Sequence, residues 1–307
     1  MISNQSDDPQ FDRIVCDQPQ THVFRITLNR PQKRNAQDGK MLTELNRAFD
    51  IAARDNDIKV VILASNGPDF SSGHDVRTDW TAAALLEEPV GTWCGFGCQG
   101  AEGHMAMEKE LFIGFSERWR NIPKVTIAQV QGRAIAGALM LIWPCDLIVA
   151  SDDASFADNT VAMGVCGAEF FNHPWELGVR KAKEMLFTSD FVSAQDAHRL
   201  GMVNHVVPRD SLESFTLGLA ARIARKPSFA LKLAKEAVNT AQDAQGRLVA
   251  MQTSFALHQL SHAHNMDLHG TLLDLSGIMA KGVREELIAE RSKAPQWVTK
   301  ASGVIDN

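Results

Sequence analysis

Two segments of the chain join a short β-branched run to a turn of small residues. The first runs Lys59-Val60-Val61-Ile62-Leu63-Ala64-Ser65 and continues to Phe70-Ser71-Ser72-Gly73-His74-Asp75. The second runs Val125-Thr126-Ile127-Ala128-Gln129-Val130-Gln131-Gly132 and continues to Ala136-Gly137-Ala138-Leu139-Met140. Each reads as a buried strand, a tight turn and a helix start. Two such turns can aim two backbone N–H groups at one point, and a helix start adds partial positive charge there. This arrangement stabilises a carbonyl oxygen that becomes an oxyanion during reaction. Glycine at 73 and 137 allows the close backbone approach that such donors need.

The elements that must position these turns are legible in outline. Val23-Phe24-Arg25-Ile26-Thr27-Leu28 alternates as a strand does, and Arg30-Pro31 ends it. Asp38-Gly39 precedes a helix with Met41, Leu45, Ala48 and Ala52 on one face. Residues 77–106, with Pro89 and glycines at 91, 95, 97, 100 and 103, read as an irregular surface loop. A helix predicted over about 107–121 leads into the second strand and turn. Leu147-Ile148-Val149-Ala150 reads as a further buried strand. Ser193-Ala194-Gln195-Asp196 has the form of a capping box, Gly201 closes its helix, and a strand over 202–207 ends at Pro208. Residues 1 to about 20 read as a loose arm. Beyond Asp210 the pattern is almost wholly helical, which divides the chain into an α/β core over 1–208 and a helical region over 209–307.

The bulk numbers restrict the function classes. The chain has 307 residues, 45% of them hydrophobic, enough for a large core. A net charge of -6 argues against a nucleic-acid surface, which needs a basic excess. No apolar stretch approaches the ~20 residues of a membrane span, and the polar, acidic start lacks a signal-peptide core. The expectation is a cytoplasmic protein with no membrane attachment. Five cysteines without framework spacing read as reduced thiols, and the absence of tyrosine removes one common acid.

Five stretches together resemble the crotonase (enoyl-CoA hydratase/isomerase) superfamily. They are Leu28-Asn29-Arg30-Pro31 with Asn35-Ala36, Phe70 through Val76, Pro123 through Asp146, Lys181 through Val207, and Ala289 through Trp297. Their order and spacing agree over roughly residues 20 to 297. The resemblance implies a spiral of ββα units with a helical C-terminal oligomerisation region, assembled as a trimer or a dimer of trimers. It implies an acyl-CoA thioester as substrate, with coenzyme A part of that substrate and no separate cofactor. It places the two oxyanion N–H donors at His74 and Gly137. It places coenzyme A contacts at Lys33, Arg34 and Ala36 and in the C-terminal basic segment at Arg291 and Lys293, with Ser72, Gly73 and Asp75 lining the thioester.

The chain departs from the hydratase pattern at both usual glutamates, which correspond to Met140 and Thr160. Methionine cannot carry a proton, and threonine is a poor base near neutrality. Glu169, in Gly164-Val165-Cys166-Gly167-Ala168-Glu169-Phe170-Phe171, is the first substitute, because other branches of the superfamily place a carboxylate in this loop. A site between small and aromatic residues is expected to raise its pKa; a cap or an ion pair is the plainer role. Asp158 is the second candidate, although Asp-Asn before a turn is common turn chemistry. The His74 side chain is a third, and Asp75 reads as a helix cap. Hydration, isomerisation, carbon–carbon cleavage and thioester hydrolysis share the oxyanion step; a non-catalytic acyl-CoA binder is the alternative from another class.

Three further patterns are set aside. Gly95-Phe96-Gly97-Cys98-Gln99-Gly100 fits a dinucleotide fingerprint, but no convincing strand precedes it. Cys94, Cys98 and His104 lack structural-zinc spacing, so no metal is expected there. His258, His262, His264 and His269 read as a surface or subunit-contact face. Trp93, Phe96, Met105 and Met140 point to a bulky, apolar acyl group.

Overall fold

The computed structural model describes residues 10–77, 80, 95, 98–274 and 276. Strands β1 (Ile14–Gln20) and β2 (Val23–Leu28) form an antiparallel hairpin. Helix α1 (Gly39–Arg54) follows, and then β3 (Val60–Ser65). A continuous helical run comprises α2 (Gly100–Glu108), a π-helical turn (Lys109–Gly114) and α3 (Phe115–Arg120). The middle of the chain carries β4 (Val125–Val130), β5 (Arg133–Ile135), α4 (Leu139–Ile142), β6 (Leu147–Ser151), β7 (Ser155–Ala157), α5 (His173–Thr188), β8 (Val192–Ser193), α6 (Ala194–Leu200) and β9 (His205–Val207). Helices α7 (Leu212–Ala224), α8 (Ser228–Ala244) and α9 (Arg247–His269) follow among the described residues.

The strands form two sheets, of order β1-β2-β3-β4-β6-β9 and β5-β7-β8. Successive strand pairs contribute one strand to each sheet: β4 then β5, β6 then β7. All pairings of the large sheet beyond the first hairpin are parallel. Both faces of this sheet are covered, so β3 is apolar from Val60 to Ala64 rather than alternating. Val61 and Leu63 enter the main core, whereas Val60, Ile62 and Ala64 meet Leu212, Leu219, Ala220 and Ala224 of α7.

The predicted α1 is found, with the Asp38 carboxylate accepting from Met41 N at 2.8 Å. Three expectations are corrected. The loose arm holds β1, an edge strand whose Asp17 and Gln20 weaken its apolar signal. The helix expected from about 107 begins at Gly100; Gly103 is required because a Cβ there would lie 2.0 Å from Cys98 O. The strand expected from 202 begins at His205, because the Met202 and Val203 N–H groups both donate to Ala197 O.

The C-terminal helices are anchored by Arg247, whose side chain is fully buried. Its guanidinium donates twice to Glu117, at 2.6 and 2.9 Å, and once to Asp243 at 2.6 Å, and lies 5.7 Å from the centroid of the Phe170 ring. Removing one partner of such a buried pair leaves unpaired charge. Arg247→Ala is expected to lower unfolding free energy by about 3 kcal/mol, read as an earlier midpoint in urea unfolding followed by circular dichroism.

Candidate active site

The site is built around an extended segment, residues 71–75, held on both sides. On one side Gln37 N donates to Gly73 O and Asp75 N donates to Gln37 O, both at 2.8 Å. On the other side Ser71 N donates to Arg133 O and Ile135 N donates to Ser71 O. The N–H and C=O of a trans peptide point in opposite directions. With Gly73 O bonded to Gln37 N, the His74 N–H points away from Gln37. After β5 the chain turns through Ala136, a non-glycine residue at φ 46°, into a 3-10 turn. Gly137 N lies in the first turn of that helical segment, where amides have no intrahelical acceptor. Among the described residues neither amide donates to another backbone group.

The two turns touch. A Cβ on Gly73, which has φ +88°, would lie 2.7 Å from Ile135 O and 3.2 Å from Gly137 N. A Cβ on Gly137 would lie 2.8–3.0 Å from three atoms of the His74 ring. The structure therefore brings His74 and Gly137 together, with the imidazole lying over the glycine.

The loop at 30–36 is strapped to the same turn. Asn35 donates through Nδ2 to Asn66 O, Asp69 O and Phe70 O, and its Oδ1 accepts from Arg30 N. Ser72 N donates to Arg34 O. Arg34 and Asn35 both have φ 51°, a strained conformation held by these bonds. Lys33 and Arg34 are exposed and Ala36 is buried. Asp75 accepts from Arg30 Nη1 at 2.9 Å and from Arg77 N, so it ties the two loops together rather than capping a described helix.

The His74 ring stacks on Phe112 at 4.1 Å between centroids and meets Trp80 edge-on at 5.6 Å. Its Nε2 lies 3.5 Å from Glu169 Oε2. Glu169 is buried, and its Oε1 lies 3.3 Å from His258 Nε2. Burial raises the Glu169 pKa, but the charges of His258 and His74 outweigh it and hold the carboxyl below its ordinary value. The expected raised pKa is thereby corrected: the aromatic wall is there, but two imidazoles replace the apolar surroundings that the sequence suggested.

Asp158, expected as a second proton carrier, is committed elsewhere. It is fully buried and accepts from Thr160 N, Thr160 Oγ1 and Ala168 N, and it pairs with His173 Nε2 at 2.8 Å. Burial opposes its charge, yet His173 and these donors bring its pKa down to about 2. Thr160 is thus a donor to Asp158, and the pair fixes the loop that carries Glu169. Met140, one helical turn past Gly137, is buried in the main core. Arg291, Lys293, Cys94, Trp93 and Phe96 lie outside the described residues. Met105 is half-buried against the core, and Cys98 is exposed.

The groups missed by sequence reading are Glu108, Phe112, His258 and His262. His258 and His262 are buried, unlike His264 and His269, which face solvent. The available signal was helical spacing: Met251, Phe255, His258, His262 and Asn265 share one face of α9, and all are buried.

Comparison with known proteins accords with this geometry. The family model for enoyl-CoA hydratase/isomerase matches residues 18–87 and 96–270. The chain belongs to the enoyl-CoA hydratase/isomerase family. It is 43% identical, over 89% of its length and 86% of the relative's, to EchA13 of Mycobacterium tuberculosis, provisionally named an enoyl-CoA hydratase. A crystal structure from Mycobacterium smegmatis with a similarly provisional hydratase name matches at a TM-score of 0.77 and 44% identity, covering 85% of this chain and 98% of that one. An enoyl-CoA hydratase/isomerase from Xanthobacter autotrophicus Py2 matches at 0.71 and 28%, covering 93% and 100%. The two sheets and C-terminal helices are thus the crotonase fold, and no helix among the described residues is long and apolar enough to cross a membrane.

Asp158 gives this family member a testable anchor. A carboxylate whose pKa is depressed by folding adds stability above its unfolded pKa and loses it as pH falls through the folded value. Asp158→Ala is expected to cost about 3 kcal/mol at neutral pH. The difference from wild type should shrink as pH falls from the ordinary aspartate range towards 2, as read by urea unfolding at several pH values.

Proposed function

We propose that this protein acts on an acyl-CoA thioester by moving a proton at the carbon next to the thioester carbonyl. The observation that carries the reading is the pair of uncommitted amides at two touching glycine turns, with a buried carboxylate beside the ring that covers them. The thioester oxygen accepts from His74 N–H and Gly137 N–H. Charge that moves onto the oxygen as the proton leaves is stabilised there without rearrangement of the backbone.

Glu169 is the base in this reading. It is ionised, within reach of His74 and oriented by His258, so it can take the proton and return it to a different carbon. Asp158 holds the loop and takes no part in proton transfer. Addition of water in the two-glutamate manner would need a second carboxylate where Met140 and Thr160 stand, so proton transfer along the acyl chain is favoured over hydration. Lys33 and Arg34 meet the phosphates of coenzyme A, with Arg291 and Lys293 as further cations; Ala36, Ser72, Gly73 and Asp75 border the thioester. Met140 and Thr160 face the acyl chain.

The protein works in the cytoplasm, and copies associate through the helices after residue 208. Phe229 and Val238 of α8 are each 70% exposed and Leu260 of α9 is 65% exposed, more apolar surface than single helices leave in water. Light scattering of the purified chain is expected to give three or six copies; a monomer would remove this assignment.

The mechanism is tested with a panel of 2-enoyl, 3-enoyl and 3-hydroxyacyl coenzyme A thioesters, with turnover followed by absorbance and mass spectrometry. Glu169→Gln should lower kcat by about 10²–10⁴-fold with thioester affinity retained. Gly137→Ala, which pushes a methyl group into the His74 ring, should lower kcat by about 10²-fold or more. Unchanged turnover in Glu169→Gln would sink the base assignment. Tight binding with no turnover of any thioester by the wild-type protein would make it a binder instead.

A further inference from the structure

Behind Glu169 lies a second cluster that holding a thioester does not require. Two pairs spaced i,i+4 supply it: His104 and Glu108 on α2, and His258 and His262 on α9. Such pairs project from one side of a helix. The fold turns these two sides towards each other. Glu108 Oε1 lies 2.8 Å from His104 Nε2 and 3.4 Å from His262 Nε2, and the three atoms lie within 4.8 Å of one another. The other oxygen, Oε2, accepts from Gln259 Nε2 at 2.5 Å and lies 3.6 Å from His258 Nε2.

Three features distinguish this group from an ordinary ion pair. First, His262 Nδ1 is engaged by Leu272 O at 2.7 Å. A backbone carbonyl accepts from Nδ1–H, which turns Nε2 towards Glu108 as the nitrogen that an incoming ion would take in place of a proton. His258 is held in the same way by Gly167 O at 2.8 Å. Second, His262 is 6% exposed and His258 2%, and their Nε2 atoms make no hydrogen bond of acceptable geometry; His104 Nε2 is likewise buried without one. Third, the spacing is near that of an ion's ligands. Ligand atoms about 2.0–2.2 Å from one metal stand roughly 3.0–3.5 Å apart in tetrahedral or octahedral geometry; Glu108 and His262 are already at 3.4 Å, and His104, at 2.8 Å, has to draw back by a few tenths of an ångström.

We propose that His104 Nε2, Glu108 and His262 Nε2 form a two-histidine, one-carboxylate site for a divalent transition-metal ion of the zinc type. Imidazole with carboxylate favours such ions over calcium or magnesium, which take oxygen ligands. The His104 side chain is 18% exposed and gives the ion a way in from solvent. The bound ion joins α2 to α9. It thereby fixes the π-helical turn that carries Phe112 beneath His74, and the face of α9 that carries His258 against Glu169.

The full-length protein, stripped with a chelator and desalted, is titrated with Zn2+ by calorimetry and with Co2+ by visible absorption. About one equivalent per chain is expected to bind, Co2+ should develop the d–d bands of a site with nitrogen ligands, and Zn2+ should raise the Tm. His104→Ala alters the most accessible ligand, so the fold is expected to survive. It should weaken Zn2+ binding by at least about 100-fold and abolish the Tm rise, with the metal-free Tm close to wild type. Glu108→Gln should remove binding altogether. A Co2+ spectrum that stays that of the aqueous ion, or Zn2+ binding that is the same in His104→Ala, would overturn the proposal. These measurements use no thioester, so the metal site stands or falls separately from the proposed reaction.

Discussion

The site depends on one close contact, the backbone of Gly73 against the backbone of Gly137. A side chain at either position would collide, at 2.7 Å with Ile135 O in one case and at 2.8 Å with the His74 ring in the other. Because neither residue carries a Cβ, two turns from separate strand–turn units can meet. Their amides at 74 and 137 are then left without backbone acceptors. Unsatisfied backbone donors are costly in a protein interior. Much of the surrounding polar structure serves this contact: the side chain of Asn35 gathers three carbonyls, Arg30 pairs with Asp75, and Gln37 engages the residues on either side of His74.

The second constraint is buried charge. Glu108 and Glu169 are both buried, and neither stays ionised in such a setting without compensation. Imidazoles supply it. Burial pushes the Glu108 carboxyl up, yet His104 and His262 bring it well below its usual value. Burial also opposes charge on His262, and the Glu108 carboxylate facing it outweighs that and raises its pKa. The chain of contacts runs from His104 and His262 through Glu108 and His258 to Glu169 and His74. A single stretch of polar side chains therefore extends from the solvent side of α2 to the amide pair.

Asp158 and Glu169 differ in how fully their carboxylates are engaged. The four partners of Asp158 fill the carboxylate and leave no lone pair for a reacting proton. Glu169 has only two imidazoles at 3.3 and 3.5 Å, looser contacts that a substrate can rearrange. Both carboxylates are buried and both have lowered pKa values, so the difference lies in the number and kind of partners rather than in burial.

The sequence by itself determined most strands of the large sheet, the capped helices α1 and α6, the family, and the positions of the two glycine turns; the short strands of the second sheet and helix α5 were not legible in it. The legible features follow from local patterns: period-2 and continuous apolar runs, an aspartate cap before α1, and small residues at fixed offsets. The sequence also pointed to Glu169, whose surroundings differ from those that it suggested. Edge strand β1 escaped because its polar side chains mask the alternation. Only the tertiary structure decided that His258 and His262 turn inward, that Asp158 is spent on its own loop, and that Glu108 meets the histidines of α9. The reason is range. Glu108 meets Gln259 across 151 positions, and Gly167 meets His258 across 91. A histidine on an amphipathic helix looks the same in sequence whether its face meets water or a carboxylate, and only the packing of α2 against α9 separates the two.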